Sequence, residues 1–246
     1  MRLALECPVA MLELVQPFGD FDFILAKEAL KDEKYMAYYK ASTNMKIVDN
    51  SVNEEREPTS IEDLVKVFVE VGGAYLVSPD WIGDSKKTLD AYRDLITEVS
   101  NKGSPIRPEQ VVGVVQGNTF EEALSCLERY SNFMAVPYDI CSSKRDPPWL
   151  MGLRRALLIS NIPNDRLIHL LGFNSLTEFF WYKGRSNVVS IDTGVPVMLG
   201  LQGKDILDEL ESKEAPTYNT MKELKLTQKE WTGICRNIAL LRKYIS

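Results

Sequence analysis

Short apolar runs alternate with longer amphipathic segments along most of this chain. Seven runs are short and rich in β-branched or aromatic residues, which is typical of buried strands. They are Phe21–Ala26, Met45–Asp49, Ala74–Ser78, Val111–Val115, Phe133–Val136, Leu167–Leu171 and Val188–Ile191. Between them, a helical apolar period predicts helices at Ser60–Val71, Ser85–Ser100, Thr119–Ser131, Pro148–Ser160 and Ser175–Lys183. The pattern therefore predicts a succession of βα units.

Three of the predicted helices begin at residues that favour a helix N-terminus. Ser60 precedes two acidic residues, Asp84 stands before the next helix, and Thr119 precedes another acidic pair. Side-chain oxygens at such positions accept hydrogen bonds from the first free backbone N–H groups of a helix. These signals support the predicted boundaries.

Repeated βα units predict a parallel sheet surrounded by helices, and 246 residues is the length of one (β/α)8 barrel. An eighth strand is indicated at Val195–Leu201, and Leu3–Val15 is expected to be an extra strand or hairpin that closes the N-terminal mouth. An open doubly wound sheet would give the same alternation, but the chain has neither a Gly-rich dinucleotide fingerprint nor a P-loop. We expect an α/β fold, a TIM-like barrel with an N-terminal cap strand or hairpin and a C-terminal helix.

The domain organisation follows from the same pattern. We expect one domain over residues 1–246, with the barrel core over about 20–200 and a charged helical segment over 204–246. Trp231, Ile234, Ile238 and Leu241 recur at helical spacing and predict a helix packed on the outside of the barrel. No apolar run approaches the roughly 18 residues of a membrane span, and the N-terminus lacks the apolar core of a signal peptide. The expectation is a cytoplasmic protein.

The cysteines and the one histidine bear on metal binding and catalysis. A zinc site uses three or four Cys or His ligands, usually in closely spaced pairs, and that spacing is missing from the sequence. We predict no metal and no cofactor, and free thiols in a reducing compartment. A single histidine, His169, argues against a Ser-His-Asp or Cys-His enzyme, and inside an apolar strand it is expected to be a hydrogen-bonded core residue. The scattered cysteines are Cys7, Cys126, Cys141 and Cys235.

The charge of the chain is unevenly distributed. The net charge of −6 argues against non-specific binding to nucleic acid. Residues 144–185, however, have a local excess of basic side chains, which is compatible with contact to a phosphate backbone and equally with a solvated surface. Its basic residues are Lys144, Arg145, Arg154, Arg155, Arg166, Lys183 and Arg185. We take Arg154, Arg155, Lys183 and Arg185 as candidate contacts to the nucleic-acid backbone.

Polar residues end several predicted strands, where barrel enzymes hold their catalytic groups. Asp49 and Asp192 end the second and seventh strands, and Asp80 and Gln116 follow the third and fourth. A carboxylate directly after a buried strand is held rigidly and partly desolvated, which suits a nucleophile or an acid/base. Any one aspartate could instead start a helix or form an Asx-turn. Three of them, with Gln116-Gly117 between them in chain order, favour an active site.

Four of these strand-end segments carry a family resemblance. The segment VGVVQG at 112–117 looks like the GIVQGG strand of the tRNA-guanine transglycosylases. The segment IHLLGF at 168–173, with SLTEF after it, is similar to their YLMGVG-x-P-E-D-L segment. Asp49-Asn50-Ser51 occupies the place of the aspartate in their DSGGF motif, and Ile191-Asp192-Thr193 that of their nucleophile. The resemblance covers roughly residues 20–200.

The chain also departs from that family. Ser51-Val52 replaces the glycine pair after the first aspartate, and Thr193-Gly194-Val195-Pro196 replaces a Thr-Arg-x-x-Arg stretch. The cysteine/histidine zinc site of the tRNA enzymes is missing, together with the C-terminal region that carries it. A short, zinc-free chain is closer to the phage branch of the superfamily, which inserts 7-deazaguanine derivatives into DNA. The resemblance therefore implies DNA, or alternatively tRNA, and a free 7-deazaguanine base as partners.

The resemblance implies two catalytic roles. Asp192 would attack the sugar C1′ and displace guanine, which gives a covalent glycosyl-enzyme. Asp49 would be the general acid/base that deprotonates the incoming 7-deazaguanine, as in the retaining glycosidases, where one carboxylate bonds to carbon and the other moves protons. The target nucleotide would have to leave its stack or be single-stranded.

The same resemblance implies a base-binding set. Asp80 would accept hydrogen bonds from N1 and the exocyclic amine of the base, and Gln116 and the Gly117 amide would donate to its carbonyl oxygen. Gly117 and Gly172 would let the backbone approach a flat ring.

Two other functions remain open at this point. One is another barrel enzyme that acts on sugars or phosphosugars with the same carboxylates, although no phosphate-binding glycines follow the last strands. The other is a non-catalytic barrel that binds a base or serves as a partner subunit. Such a subunit would be expected to lack one of the two working aspartates, whereas Asp49 and Asp192 are both present.

Overall fold

The computed structural model describes residues 1–130, 132–142, 146–173, 175–207 and 226–246. In these ranges eight parallel strands form one sheet, in the order β1-β8-β7-β6-β5-β4-β3-β2. Helices lie between successive strands, so the protein is a TIM-like (β/α)8 barrel and the predicted fold class is confirmed. The strands are β1 (Arg2–Leu5), β2 (Asp22–Leu25), β3 (Lys46–Asp49), β4 (Tyr75–Val77), β5 (Val111–Val114), β6 (Phe133–Pro137), β7 (Leu167–Leu171) and β8 (Val188–Thr193).

The helices surround this sheet. The α-helices in the described ranges are α1 (Leu12–Val15), α2 (Ala26–Lys31), α3 (Glu33–Ala41), α4 (Val52–Glu55), α5 (Ile61–Val71), α6 (Ser85–Val99), α7 (Phe120–Leu127), α8 (Pro148–Ser160), α9 (Val195–Leu201) and α10 (Gln228–Ile245). Short 3-10 helices lie at Val9–Met11, Gln16–Phe18, Pro108–Gln110 and Leu176–Tyr182. The predicted start signals are confirmed, because side-chain oxygens of Ser60, Asp84 and Thr119 accept backbone N–H bonds at the starts of α5, α6 and α7.

The N-terminal prediction needs correction. Arg2–Leu5 does not cap the mouth of the barrel but is a barrel strand, parallel to β8 in the register Leu3↔Ile191. The eighth strand predicted at Val195–Leu201 is also wrong, because these residues form helix α9. Pro196 stands in the first turn of that helix, where its missing N–H costs nothing. The barrel therefore begins at Arg2 rather than near residue 20.

The seam between the two ends of the sheet is closed by a few individual hydrogen bonds and an ion pair rather than by a strand ladder. In the described ranges β1 has a ladder with β8 but none with β2. The backbone N–H of Asp20 donates to the carbonyl of Leu3 at 2.6 Å, and the N–H of Leu3 donates to the Asp20 carboxylate at 2.8 Å. Arg242 of α10 pairs with the same carboxylate at 3.0 Å. The barrel is therefore nearly closed, and one aspartate bridges its seam.

The C-terminal helix was predicted on the outside of the barrel, and α10 confirms this over Gln228–Ile245. Its buried residues include Ile234, Ile238 and Leu241, three of the four that define the predicted stripe, and α10 packs against α9. Residues 208–225 of the predicted helical segment lie outside the described residues. No helix in the described part of the chain has the length and apolar character needed to cross a membrane.

Candidate active site

Asp49 faces the barrel interior at the C-terminal end of β3. The ring of Phe23 on β2 stacks on the ring of His169 on β7, with centroids 5.3 Å apart, and these strands are not neighbours in the sheet. Both rings therefore point into the barrel. Leu25 lies two residues after Phe23 on the same face of β2, and Asp49 is its register partner. Asp49 is 8% exposed, and its carboxylate accepts the backbone N–H of Ser51 at 2.7 Å.

Asp192 lies at the end of β8 and also points inward. His169 is the register partner of Ser190 and bonds to its hydroxyl through Nδ1 at 2.9 Å, so Ser190 faces inward, as does Asp192 two residues later. The other ring nitrogen, Nε2, lies 2.9 Å from Oδ1 of Asp192. The backbone N–H of Gly172 donates to the same oxygen at 3.4 Å. Asp192 is 5% exposed and His169 is fully buried.

The electrostatics of Asp192 suit a reactive carboxylate. Burial raises its pKa to about 6, although hydrogen bonds from Glu6 and from the Gly172 backbone oppose the shift. Burial and the nearby charge of Arg155 lower the pKa of His169 to about 3, so the imidazole is neutral at physiological pH. Asp192 is therefore a desolvated carboxylate beside a neutral ring, ionised at neutral pH and protonated in mild acid.

A second cluster joins the ends of β3, β4 and β5. Asp80 is 2% exposed and accepts a hydrogen bond on each carboxylate oxygen, from Nδ2 of Asn50 at 2.7 Å and from Nε2 of Gln116 at 2.6 Å. The side-chain oxygen of Gln116 accepts the backbone N–H of Gly83 at 2.9 Å, which fixes the direction of the amide. Burial raises the pKa of Asp80 to about 6 against these two bonds. Asp80 and Gln116, both assigned to the base-binding set, thus lie in one cluster, and their contacts to a base remain a prediction.

The two glycines of the predicted base-binding set are required by local packing. A Cβ on Gly117 would lie 2.6 Å from the backbone nitrogen of Ala123, in the first turn of α7. Gly172 has φ +62°, and a Cβ there would lie 2.9 Å from the ring of Tyr138. These contacts explain why glycine stands at both positions, and the approach of either backbone to a base remains a prediction.

Arg155 was predicted to contact a nucleic-acid backbone, and this prediction is wrong. Its side chain is completely buried and forms an ion pair with the equally buried Glu178 at 2.5 Å. It also donates to the backbone carbonyls of Val136 and Leu171, at 3.1 Å each. Arg155 therefore joins the C-terminal ends of β6 and β7 beneath the site and cannot reach a phosphate in solution.

The other predicted backbone contacts do not form one surface. Arg154 is partly exposed and pairs with Asp146. Arg185 donates to the carbonyl of Ile162 at 2.9 Å, in the connection that enters β7, so it lies at the N-terminal end of the barrel, away from Asp192. Lys183 is exposed and lies over the ring of Phe180, 5.2 Å from its centroid. The prediction that these residues form one rim for a nucleic-acid backbone is therefore wrong. Lys144 and Arg145 lie outside the described residues.

Four groups near the site were not predicted to belong to it. Glu6 directly follows β1, as the candidate residues follow their strands, but the sequence predicts a cap rather than a barrel strand at this position. Asn50 stands beside Asp49 in sequence, and Asp139 lies two residues after β6, where burial raises its pKa. His169 was expected to be buried and hydrogen-bonded, which is confirmed, but its bond to Asp192 depends on a strand register that no sequence pattern gives.

Neither a metal-binding cluster nor a surface cavity marks this site in the described part of the chain. Among the described residues no group of three or more His, Cys, Asp or Glu side chains could hold a metal ion. One surface cavity is lined by Gly203 and Arg236, and another by Thr59, Pro79 and Trp81 beside the C-terminal end of β4, but the side chains of Asp49, Asp80 and Asp192 line neither. The site is therefore located by its buried side chains rather than by the shape of the surface. Comparison with models of known protein families and with curated proteins finds no match to this chain.

Proposed function

We propose that this protein is a base-exchange transglycosylase that replaces guanine in nucleic acid by a 7-deazaguanine derivative, through a glycosyl-enzyme linked to Asp192. The observation that carries the proposal is the setting of that carboxylate. Asp192 ends a barrel strand, is almost fully buried, and has one oxygen held by a neutral ring and a backbone N–H. Such a carboxylate is oriented before the substrate binds, as a nucleophile requires.

The chemistry of the remaining strand ends supports a base as ligand. Five carboxylates stand at or just beyond the C-terminal ends of the strands, and the buried cation beneath them, Arg155, is already paired. An acidic site disfavours phosphate and favours a ligand that presents N–H groups, as guanine does at N1 and its exocyclic amine. The two amides bonded to Asp80 leave it lone pairs for such donors. The five carboxylates belong to Glu6, Asp49, Asp80, Asp139 and Asp192.

The proposed reaction has two displacements at C1′. One oxygen of Asp192 bonds to C1′ while the bond from C1′ to guanine breaks, and guanine leaves with the bonding pair and takes a proton from Asp49. In the second step the incoming base loses its ring N–H proton to Asp49, bonds to C1′, and releases the Asp192 carboxylate. Two inversions give net retention, as in retaining glycosidases. The proton that Asp49 gives in the first step returns in the second.

DNA is the favoured polymer in this proposal, and the support for it is the resemblance of a short, zinc-free chain to the phage branch. A tRNA substrate is the alternative within the same chemistry. A non-catalytic barrel that binds a base is the alternative from another class, and the presence of both Asp49 and Asp192 at the strand ends argues against it.

Nucleoside mass spectrometry tests this proposal directly. The protein is incubated with DNA or with tRNA and candidate 7-deazaguanine bases, and digested nucleosides are searched for the exchanged base. Asp192→Asn should abolish both exchange and any denaturation-resistant adduct, and Asp49→Asn should greatly slow exchange. Asp90→Asn is the matched control, since Asp90 is an exposed aspartate on α6. An adduct that persists in Asp192→Asn would exclude Asp192 as the nucleophile, and exchange in tRNA alone would exclude DNA as the substrate.

A further inference from the structure

A line of three hydrogen-bonded side chains runs across the interior from β8 to β7 and back. The Ser190 hydroxyl bonds to Nδ1 of His169, and Nε2 of the same ring bonds to Oδ1 of Asp192, each at 2.9 Å. Ser190 and Asp192 lie on one face of β8, and His169 is the register partner of Ser190. The ring is packed against Phe23, 5.3 Å away and nearly parallel, and edge-on against Phe21. These two aromatic contacts and the two hydrogen bonds together fix the orientation of the ring.

We infer that His169 is a positioning residue that holds the Asp192 carboxylate through a neutral Nε2–H, while Ser190 anchors the opposite ring nitrogen. The catalytic part of this inference rests on the proposed role of Asp192 as nucleophile. An ionised carboxylate can only accept, so Nε2 must carry the proton and Nδ1 must accept from the Ser190 hydroxyl. The geometry thus selects one tautomer of the only histidine in the chain.

The charged groups around the ring agree with a neutral donor. Asp192 is in direct contact with it, Arg155 acts on it through its charge, and Glu6 is hydrogen-bonded to Asp192 from the end of β1. The positive charge of Arg155 and the burial of the ring both oppose a second proton on the imidazole. A neutral N–H orients the carboxylate without forming an ion pair with it, so the other oxygen keeps its nucleophilic character.

The inferred contact also persists through the proposed reaction. Because Oδ1 is engaged by His169 and the Gly172 N–H, we assign the bond to C1′ in the proposed reaction to the second oxygen. Once that oxygen is esterified, Oδ1 is the ester carbonyl and can still accept from Nε2. When the carboxylate departs in the second step, the same donor stabilises the charge that returns to it. His169 therefore acts on both half-reactions without exchanging a proton with substrate.

The tautomer can be measured without any substrate. Because the chain has one histidine, imidazole ¹⁵N spectra contain a single set of ring signals. We expect the Nε2–H tautomer at pH 7.5 and no conversion to imidazolium at pH 5. Asp192→Ala, which removes the acceptor, should release this preference and yield the Nδ1–H form or a mixture. A wild-type ring that carries its proton on Nδ1, or is doubly protonated at pH 7.5, would overturn the inference.

The functional consequence needs kinetics of base exchange. His169→Phe keeps an aromatic ring beside Phe21 and Phe23 but removes the donor. We expect kcat to fall by about ten- to a hundredfold with the KM for polynucleotide little changed, and the acid limb of the pH profile to move upward, because an ionised Asp192 has lost a donor. His169→Gln, which retains an N–H donor, should restore part of the rate.

The possible outcomes separate this inference from the proposed function. A folded His169→Phe with the wild-type kcat and acid limb would refute the positioning role. If wild-type protein exchanges no base in DNA or tRNA, the proposed function fails. The ¹⁵N spectra of wild type and Asp192→Ala still decide whether neutral His169 donates a hydrogen bond to Asp192. The same spectra decide the question if His169→Phe does not fold.

Discussion

Replacing Asp192 by asparagine should stabilise the protein at neutral pH. The asparagine oxygen can take the place of Oδ1 and accept from His169 and Gly172, and its amide can donate toward Glu6. The substitution therefore keeps the shape and the hydrogen bonds of the site and removes mainly the cost of a buried negative charge. Asp192 is the suitable test because it is only 5% exposed, so solvent screens this cost little.

The size of the effect follows from the raised pKa. A pKa that moves from 3.8 unfolded to about 6 folded corresponds to about 3 kcal/mol, at about 1.4 kcal/mol for each pH unit. The folded state retains the proton between these two pH values, whereas the unfolded state has lost it. Wild-type stability from this group is thus fully present below about pH 4 and is lost as the pH rises through 6. Asp192→Asn should not show that loss.

Urea denaturation of wild type and Asp192→Asn, from pH 4 to 8, measures the difference. The variant should be more stable by about 2–3 kcal/mol at pH 8, or about 5–10 °C in Tm for a domain of this size, and the advantage should vanish near pH 4. Asp90→Asn, at an exposed aspartate, should show no such pH dependence. A variant that is equally or less stable at pH 8, or an advantage that does not shrink in acid, would refute the claim that the buried charge of Asp192 lowers the stability of the folded protein.

Three other predictions concern side chains that do not contact Asp192. Arg155→Met should destabilise the protein by about 3–5 kcal/mol in denaturation experiments, because Glu178 is left buried without its partner, and adding Glu178→Leu should recover most of that loss. Asp80→Asn should raise the KM for the free base at least about tenfold in exchange assays. The asparagine amide group cannot accept, so either Asn50 or Gln116 loses its acceptor, and the base also loses an acceptor for its N–H groups. An unchanged KM would remove Asp80 from the base site. Arg185→Ala should leave the salt dependence of polynucleotide binding unaltered, because Arg185 lies at the far end of the barrel; a smaller salt slope would contradict that placement.

Local patterns were enough to predict most of the barrel. Seven predicted strands and four of the five predicted helices are present, and Leu167–Leu171 and Pro148–Ser160 have the predicted bounds. The fifth predicted helix, Ser175–Lys183, is a 3-10 helix over Leu176–Tyr182. The failures occur where the pattern is short or ambiguous. Arg2–Leu5 has only four residues before Pro8, and the apolar run Val195–Leu201 has no polar position to reveal a helical period.

The site was predictable as far as single residues at strand ends, because the end of a parallel strand has a fixed meaning in a barrel. Asp49, Asp80, Gln116 and Asp192 all stand there. Contacts between strands could not be predicted, since a one-residue change of register would turn His169 away from Asp192. The burial of Arg155 could not be predicted for a related reason, because an arginine on a helix is usually solvated and only the packing of α8 beside Glu178 shows otherwise.

The order in which the ribosome makes the strands has a consequence for how this barrel matures. β1 is synthesised first, but the strand it pairs with, β8, begins only at Val188. At roughly 5–20 residues per second, the nascent β1 waits on the order of 10 to 40 s for that partner. During this time the hydrogen-bonding edge of Arg2–Leu5 is open to chaperones or to other nascent chains. Glu6 meets Asp192 at the same late stage, so a ribosome-bound fragment that ends before β8 lacks the hydrogen bond between these two side chains.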